Sequence, residues 1–444
     1  MDTPICDFVR SYAARGSLRL HMPGHKGRTV LGPEALDITE VEGADVLYHA
    51  RGIIRRSEEN AAELFGSAAT FYSAEGSSLC IRAMLYLALL RAGEKGERPL
   101  ILAGRNAHKT FLSAVALLDL EVEWLYPEGG SLLACPVTEK DLEEAFRRER
   151  KPTAVYITAP DYLGDLPDIR ALAEVCHQNG ALLLVDNAHG AYLHFLPTPL
   201  HPMDLGADLC CDSAHKTLPV LTGGAYLHLS KTAPQTLTEQ GETGLSLFAS
   251  TSPSYLILQS LDAVNAYLAK GFREALAEYT TAAEKLKEKL SSRGWSLVGE
   301  EPLKLTVAPK VMGYRGTQLA GFLRKEGVEP EFADPDFLVL MLTPGLGGES
   351  LERLEDIFSR IPRRPTIWES PPALPKARKV LSPRQAMFSP QEEAQVERCV
   401  GRILAAPTVS CPPAVPILLC GEEISEEAAE CFRYYGIESC SVIK

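Results

Sequence analysis

The chain has no block of basic residues, no hydrophobic run long enough to cross a bilayer and no Cys-x-x-Cys pair. Each absence removes a class of function. Nucleic-acid binding rests on clustered Lys and Arg. Here the net charge is −13, so no nucleic-acid partner is expected. A membrane-spanning helix needs about 20 mostly apolar residues, so no membrane partner is expected either. The opening residues, MDTPICDFVR, lack the apolar core of a secretory signal, and a cytoplasmic location is the expectation. The cysteines number eleven, an odd count. Cys399, Cys411, Cys420, Cys431 and Cys440 lie about ten residues apart, which fits neither a zinc ribbon nor an iron–sulfur run. No metal site is expected; the thiols read as reduced, packing as small apolar groups.

What is present is ample core material: 444 residues, 45% hydrophobic, enough for more than one domain. After an irregular arm rich in Gly, Pro and His (1–55), apolar strands alternate with helices. RPLILAG, VEWLYP, AVYITAP, ALLLVD, ADLCCDS and GGAYLHLS read as strands. SSLCIRAMLYLALLRAG, HKTFLSAVALL, TEKDLEEAFRRE (with Thr138 as N-cap) and LPDIRALAEVCHQNG read as helices. Continuous apolar strands separated by helices predict an α/β fold with a mainly parallel central sheet covered by helices on both faces. Residues 256–290 read as one long amphipathic helix. The segments expected are an N-terminal arm (1–55), a major domain (56–290), a small α+β domain (291–365), and a Pro-rich linker with a C-terminal strand, turn and helix (366–444).

Ligands in such sheets bind beyond the carboxyl ends of the strands. His108 follows ILAGRNA, Thr158 ends AVYIT, Asp186 and His189 end ALLLVDNAH, and Ser213, His215 and Lys216 follow ADLCCD. Four strands aiming polar groups at one edge make a site. A lysine thirty residues after an aspartate, with histidines and the helix start Gly76-Ser77-Ser78, matches the needs of pyridoxal phosphate. Its aldehyde requires a lysine amine, its ring nitrogen a carboxylate, and its phosphate the N–H groups and hydroxyls of a helix N-terminus.

With these motifs in view, the sequence resembles the Orn/Lys/Arg decarboxylases, pyridoxal-phosphate enzymes of the aspartate-aminotransferase fold type. The resemblance runs through HMPGHKG, AAELFGSAATFYSAEGSS, GRNAHKTFLSAV, APDYLGDLPDI, LLVDNAHGAYLHF, DSAHKTLPVLTGGAYLH, STSPSYLILQSLDA and CPPAVPILLCGEEIS. It implies that Lys216 holds the cofactor and returns a proton, that Asp186 pairs with the ring nitrogen, and that His108 stacks on the ring. Ser77 and Ser78 bind phosphate in this reading, with Ser213 and His215 close by and Ala188 and His189 against the ring or its O3′ side. Thr251 and Ser252 reach the phosphate of the partner subunit, because the family builds its site across a homodimer interface. Higher oligomers built on the family's extra N-terminal domain are not expected, since about twenty residues precede the Pro-Gly-His element.

The chain departs from the family pattern at several places. Glu75 puts a negative charge beside the phosphate turn, Asn187 stands where glutamate is common, Ala107 where cysteine is common, and Cys420 where proline is usual. The reaction implied is α-decarboxylation of lysine, ornithine or arginine to a polyamine-pathway amine. Carboxylates of the acidic C-terminal region are expected to pair the substrate's distal charge, and His25 and Tyr162 are further candidates for substrate contact. His21, His49 and His201 read as packing or surface residues. The alternatives are an aminotransferase or aldolase on the same fold, and a cofactor-binding protein without decarboxylase turnover, which Glu75 would favour.

Overall fold

A computed structural model describes residues 1–129, 131–407 and 413–444. Seven strands form the central sheet: β1 (Ala69–Ser73), β2 (Leu100–Gly104), β3 (Glu121–Leu125), β4 (Ala154–Thr158), β5 (Leu182–Asp186), β6 (Leu209–Asp212) and β7 (Ala225–Leu229). Their order is β1-β7-β6-β5-β4-β2-β3. β2 pairs parallel with β3, and β5 parallel with β6; β7 runs antiparallel to both β6 and β1. This is the mainly parallel α/β sheet expected. Every residue of β2, β5, β6 and β7 is buried, which is why these segments are mostly apolar rather than alternating, with Asp186, Asp212 and His228 as the polar exceptions.

The helices up to the end of this sheet are α1 (Pro4–Ala14), α2 (Ile53–Phe65), α3 (Ser77–Glu94), α4 (Lys109–Leu118), α5 (Glu139–Phe146) and α6 (Ile169–Gln178), then the short α7 (Pro202–Leu205) and α8 (Ala214–Thr217). α9 (Gln235–Glu239), α10 (Gly241–Ser246), α11 (Tyr255–Leu268) and α12 (Phe272–Ser292) follow. Thr138 caps α5 as expected, its hydroxyl accepting the Asp141 amide in a reciprocal capping box.

Three expectations are corrected. The arm is not irregular throughout: α1 forms there, with Pro4 at its first turn. Ile5, Val9 and Tyr12 fall at i, i+4 and i+7 and bury one face, while the Cys6 amide donates to Asp262 of α11 at 2.9 Å. The single helix expected over 256–290 is two, α11 and α12, broken at Gly271, whose φ of +74° is left-handed and cannot continue an α-helix. The strand expected in the C-terminal Pro-rich stretch is not formed by its described residues. The carbonyls of Pro416 and Ile417 instead accept the Arg105 guanidinium at 2.9 and 2.7 Å. Cys411 and Pro412, at the start of that stretch, lie outside the described residues.

The chain divides into two compact units: Met1–Pro99 with Pro152–Tyr156 and Ile169–Leu276, and Leu100–Lys151 with Ile157–Asp168 and Ala277–Lys444. The second unit contains an antiparallel sheet, β10-β11-β9-β8, made of β8 (Ser296–Val298), β9 (Lys304–Ala308), β10 (Phe332–Ala333) and β11 (Leu338–Met341). Helices α13 (Gly316–Lys325) and α14 (Gly348–Ser359) belong to the same region. Nearer the C-terminus, β12 (Gln391–Gln395), α16 (Glu426–Tyr434) and β13 (Ser439–Ile443) surround a core that includes Leu404, Ile424, Phe432 and Val442, while α15 (Pro383–Met387) packs its Ala386 with Leu112, Leu419 and Cys420. No described helix is long and apolar enough to cross a membrane.

Candidate active site

The first unit gathers most of the residues singled out in the sequence. Asp186 closes β5 and is 2% exposed. Its Oδ2 accepts the Tyr156 hydroxyl at 2.9 Å, and its Oδ1 accepts the Ala188 amide at 3.3 Å. The Cys211 thiol lies 3.6 Å from Oδ1. Burial and the Asp186 charge push the Tyr156 hydroxyl and the Cys211 thiol well above their ordinary values, so both stay protonated and act as donors toward the carboxylate.

Lys216 lies in the single turn α8 and is exposed, with Nζ 2.9 Å from Nε2 of the buried His189. His215 turns the other way. Its Nδ1 lies 3.0 Å from the Gly224 carbonyl. Burial holds its imidazole below the ordinary histidine value, and the charge of Lys216 acts in the same sense.

The Ser213 hydroxyl donates to the Ser77 hydroxyl at 2.8 Å, joining the residue before α8 to the first residue of α3. Gly76, at φ +72°, turns the chain into α3, and its amide donates to the Gly223 carbonyl at 2.7 Å. Gly76 puts no side-chain cap on α3, and Ser77 and Ser78 stand in its first turn, where the helix polarity favours an anion.

Thr251 and Ser252 lie exposed in the turn before α11. Glu75, feared as a charge facing the phosphate, has its Oε1 accepting the Ser250 amide at 2.7 Å in that same turn. His108 belongs to the second unit, where its Nδ1 accepts the Thr110 amide at 3.2 Å as the N-cap of α4. Tyr162, also there, donates its hydroxyl to Glu331 at 2.8 Å. His25 lies 3.2 Å from Asp37.

A family model described as Orn/Lys/Arg decarboxylase, major domain, matches residues 3–308. The chain belongs to the Orn/Lys/Arg decarboxylase family. It is an amino-acid decarboxylase. Among its relatives, the uncharacterized protein YaaO of Bacillus subtilis (strain 168) is 31% identical, over 97% of this chain and 93% of that protein. The arginine decarboxylase of Halalkalibacterium halodurans is 30% identical over 96% of this chain and 91% of its own length. Lysine decarboxylase A from Pseudomonas aeruginosa superposes with a TM-score of 0.80 at 17% identity, covering 99% of this chain and 80% of that one. The constitutive lysine decarboxylase of E. coli does so at 0.76 and 18%, covering 100% and 82%. At such identity the superpositions speak for the fold.

The residues present fit pyridoxal phosphate on this structure's own evidence. An uncapped helix end flanked by serine hydroxyls suits a phosphate, a buried carboxylate with three donors suits a ring nitrogen, and the amine at Lys216 suits an aldehyde.

Sequence reading missed three elements of this decarboxylase. Tyr156, which fixes Asp186, was hidden inside an apolar strand. The Glu75 contact with Ser250 joins residues 175 apart. The third is the pair of histidines around Asp212. Asp212 is fully buried; its Oδ2 lies 3.0 Å from Nε2 of His201 and 3.2 Å from Nε2 of His228, and its Oδ1 accepts the Asn187 side-chain amide at 2.7 Å. Burial alone would raise this carboxyl, but the two imidazoles outweigh it and hold the group well below the usual carboxylate range. His201, Cys210 and Asp212 also bring metal-ligand atoms within 4.8 Å of one another. Nδ1 of His201 accepts the Met203 amide, which leaves the ring proton on Nε2, facing Asp212; the cluster therefore reads as a hydrogen-bond network.

Proposed function

We propose that this protein removes the α-carboxylate of a basic amino acid, arginine first among arginine, lysine and ornithine, with pyridoxal phosphate held on Lys216. The observation that carries the reading is the convergence, in one unit, of the Lys216–His189 pair, the buried Asp186 and the uncapped end of α3 with Ser77 and Ser213. Arginine leads because relatives matched along nearly the whole chain are named arginine decarboxylase. The product would then be agmatine, a polyamine-pathway amine. We further propose a cytoplasmic homodimer, with Thr251 and Ser252 serving the phosphate across the interface and His108 stacking on the ring.

When bound, pyridoxal phosphate supplies a carbonyl that condenses with amines and a ring that takes up the electron pair of the breaking Cα–carboxylate bond. The chain's residues do the rest. Ser77, Ser78, Ser213 and the first-turn amides of α3 hold the phosphate. Asp186 keeps the proton on the ring nitrogen, and Tyr156 fixes that carboxylate in place. Lys216 provides the amine, and His189, at hydrogen-bond distance from Nζ, holds or passes the proton that decides whether this amine is nucleophilic.

The test is to incubate cofactor-loaded protein separately with arginine, lysine and ornithine and to identify the products by mass. Agmatine with release of CO₂ supports the reading in full; cadaverine or putrescine redirects the substrate. An oxo-acid, or no product from any of the three, contradicts it.

A further inference from the structure

A carboxylate at Glu75, next to a phosphate cradle, invites the reading that it repels the cofactor. The geometry points elsewhere. Glu75 precedes Gly76 and the uncapped end of α3, yet its Oε1 is turned to the Ser250 amide at 2.7 Å. Ser250 in turn uses its own hydroxyl to accept the Ser252 amide at 3.1 Å. One carboxylate thus fixes the first residue of the turn that presents Thr251 and Ser252. On the other side, the Glu75 amide donates to the Ser73 hydroxyl at 3.1 Å, which itself donates to the Gly76 carbonyl at 2.9 Å. The base of the tether is rigid; its far end is an exposed turn with no regular structure.

We infer that Glu75 is a positioning residue whose carboxylate ties the turn carrying Thr251 and Ser252 to the start of α3. The inference rests on the proposal that both elements serve the cofactor phosphate. It goes further in assigning Glu75 a supporting role through Ser250, where charge alone assigns it an opposing one. The two roles differ in sign. A repelling charge predicts tighter cofactor binding in Glu75→Gln and Glu75→Ala alike. A tether predicts that Gln, whose side-chain oxygen accepts the same amide, preserves binding, and that Ala loosens it. A hydrogen bond between an amide and a carboxylate is strong enough for a loss of roughly tenfold or more.

The experiment has two arms. In the first, hydrogen exchange is followed in the cofactor-free protein across the peptide containing Ser250. Faster exchange is expected in Glu75→Ala and wild-type exchange in Glu75→Gln; unchanged exchange in Glu75→Ala overturns the tether without reference to any cofactor. In the second, pyridoxal phosphate and phosphate-free pyridoxal are titrated into each protein by absorbance. Glu75→Ala is expected to weaken pyridoxal phosphate by roughly tenfold and to leave pyridoxal unchanged, with Glu75→Gln close to wild type for both. Tighter phosphate binding in either variant, or equal weakening of both ligands, overturns the inference. Should the wild-type protein itself take up no pyridoxal phosphate, the proposed function fails and the exchange result still stands.

Discussion

Asp186 and Asp212 end neighbouring parallel strands, both at most 2% exposed, yet their surroundings differ in kind. Asp186 receives one phenol, one backbone amide and, more loosely, one thiol. Asp212 is enclosed by two imidazoles and the Asn187 amide. The first is the carboxylate proposed to meet the cofactor's ring nitrogen. The second is a carboxylate flanked by two imidazoles on one oxygen. A strand-end aspartate is therefore not a functional signal by itself; the kind of donor the fold already supplies, two imidazoles at Asp212 and none at Asp186, is what separates them. Asn187 joins the two, following Asp186 in the chain and bonding Asp212 through its side chain, so the structural carboxylate steadies the turn that leads to His189.

The largest effect expected is on turnover. Asp186→Asn should reduce the catalytic rate by a hundredfold or more, on the order of what a preorganised charge contributes, with little change in unfolding temperature. Asp212→Asn should reverse this profile. Breaking a buried, charge-assisted network costs on the order of 3 kcal/mol, read as a lower denaturation midpoint, with activity falling only as His189 is misplaced. If Asp212→Asn abolishes turnover in a protein of wild-type stability, the division of labour between the two carboxylates is wrong.

A third buried carboxylate sharpens the contrast. Glu58 is 2% exposed and has no imidazole beside it; burial lifts it to about 8, against the pull of the Tyr72 amide and Arg55. Between its ordinary value near 4.5 and about 8, the folded protein holds this proton and the unfolded chain releases it. Stability must therefore fall as pH rises through that window. Asp212, held low, acts in the opposite sense: its contribution is present above the ordinary aspartate value and is lost on acidification. Glu58→Gln should gain on the wild type by a few kcal/mol at most as pH goes from 5 to 9, measured by thermal unfolding at both ends. A difference independent of pH would show that Glu58 is already ionised in the fold. The smallest effect belongs to Tyr156→Phe. Loss of one donor to Asp186 should lower activity by roughly tenfold and leave the aspartate in place.

Much of this was legible in the sequence because polar residues at the ends of apolar strands are conspicuous. LLLVD followed by Asn-Ala-His, and LCCD followed by Ser-Ala-His-Lys, mark both strand ends and the turns beyond them. Tyr156 was not legible: within AVYIT it reads as one more large strand residue, and only the finished sheet shows its hydroxyl reaching Asp186. His201 was read only as a packing or surface residue, and His228, inside an apolar strand, was passed over. They lie 11 residues before and 16 after Asp212, and only the folded chain, with β7 paired to β6, brings them to one carboxylate. The helix break at Gly271 was marked by Lys270-Gly271, a signal that the amphipathic pattern on either side outweighed. The α1 helix was masked by the Gly, Pro and His content of the arm it begins.

The assignment of Lys216 stands or falls on one chemical experiment. The purified protein is supplied with pyridoxal phosphate, reduced with borohydride, digested, and its lysine peptides are weighed. One pyridoxyl group per chain is expected, on the peptide containing Lys216, with the label lost in Lys216→Ala. A label on another lysine, or no chromophore after cofactor is added, would contradict the assignment of Lys216 and with it the proposed reaction.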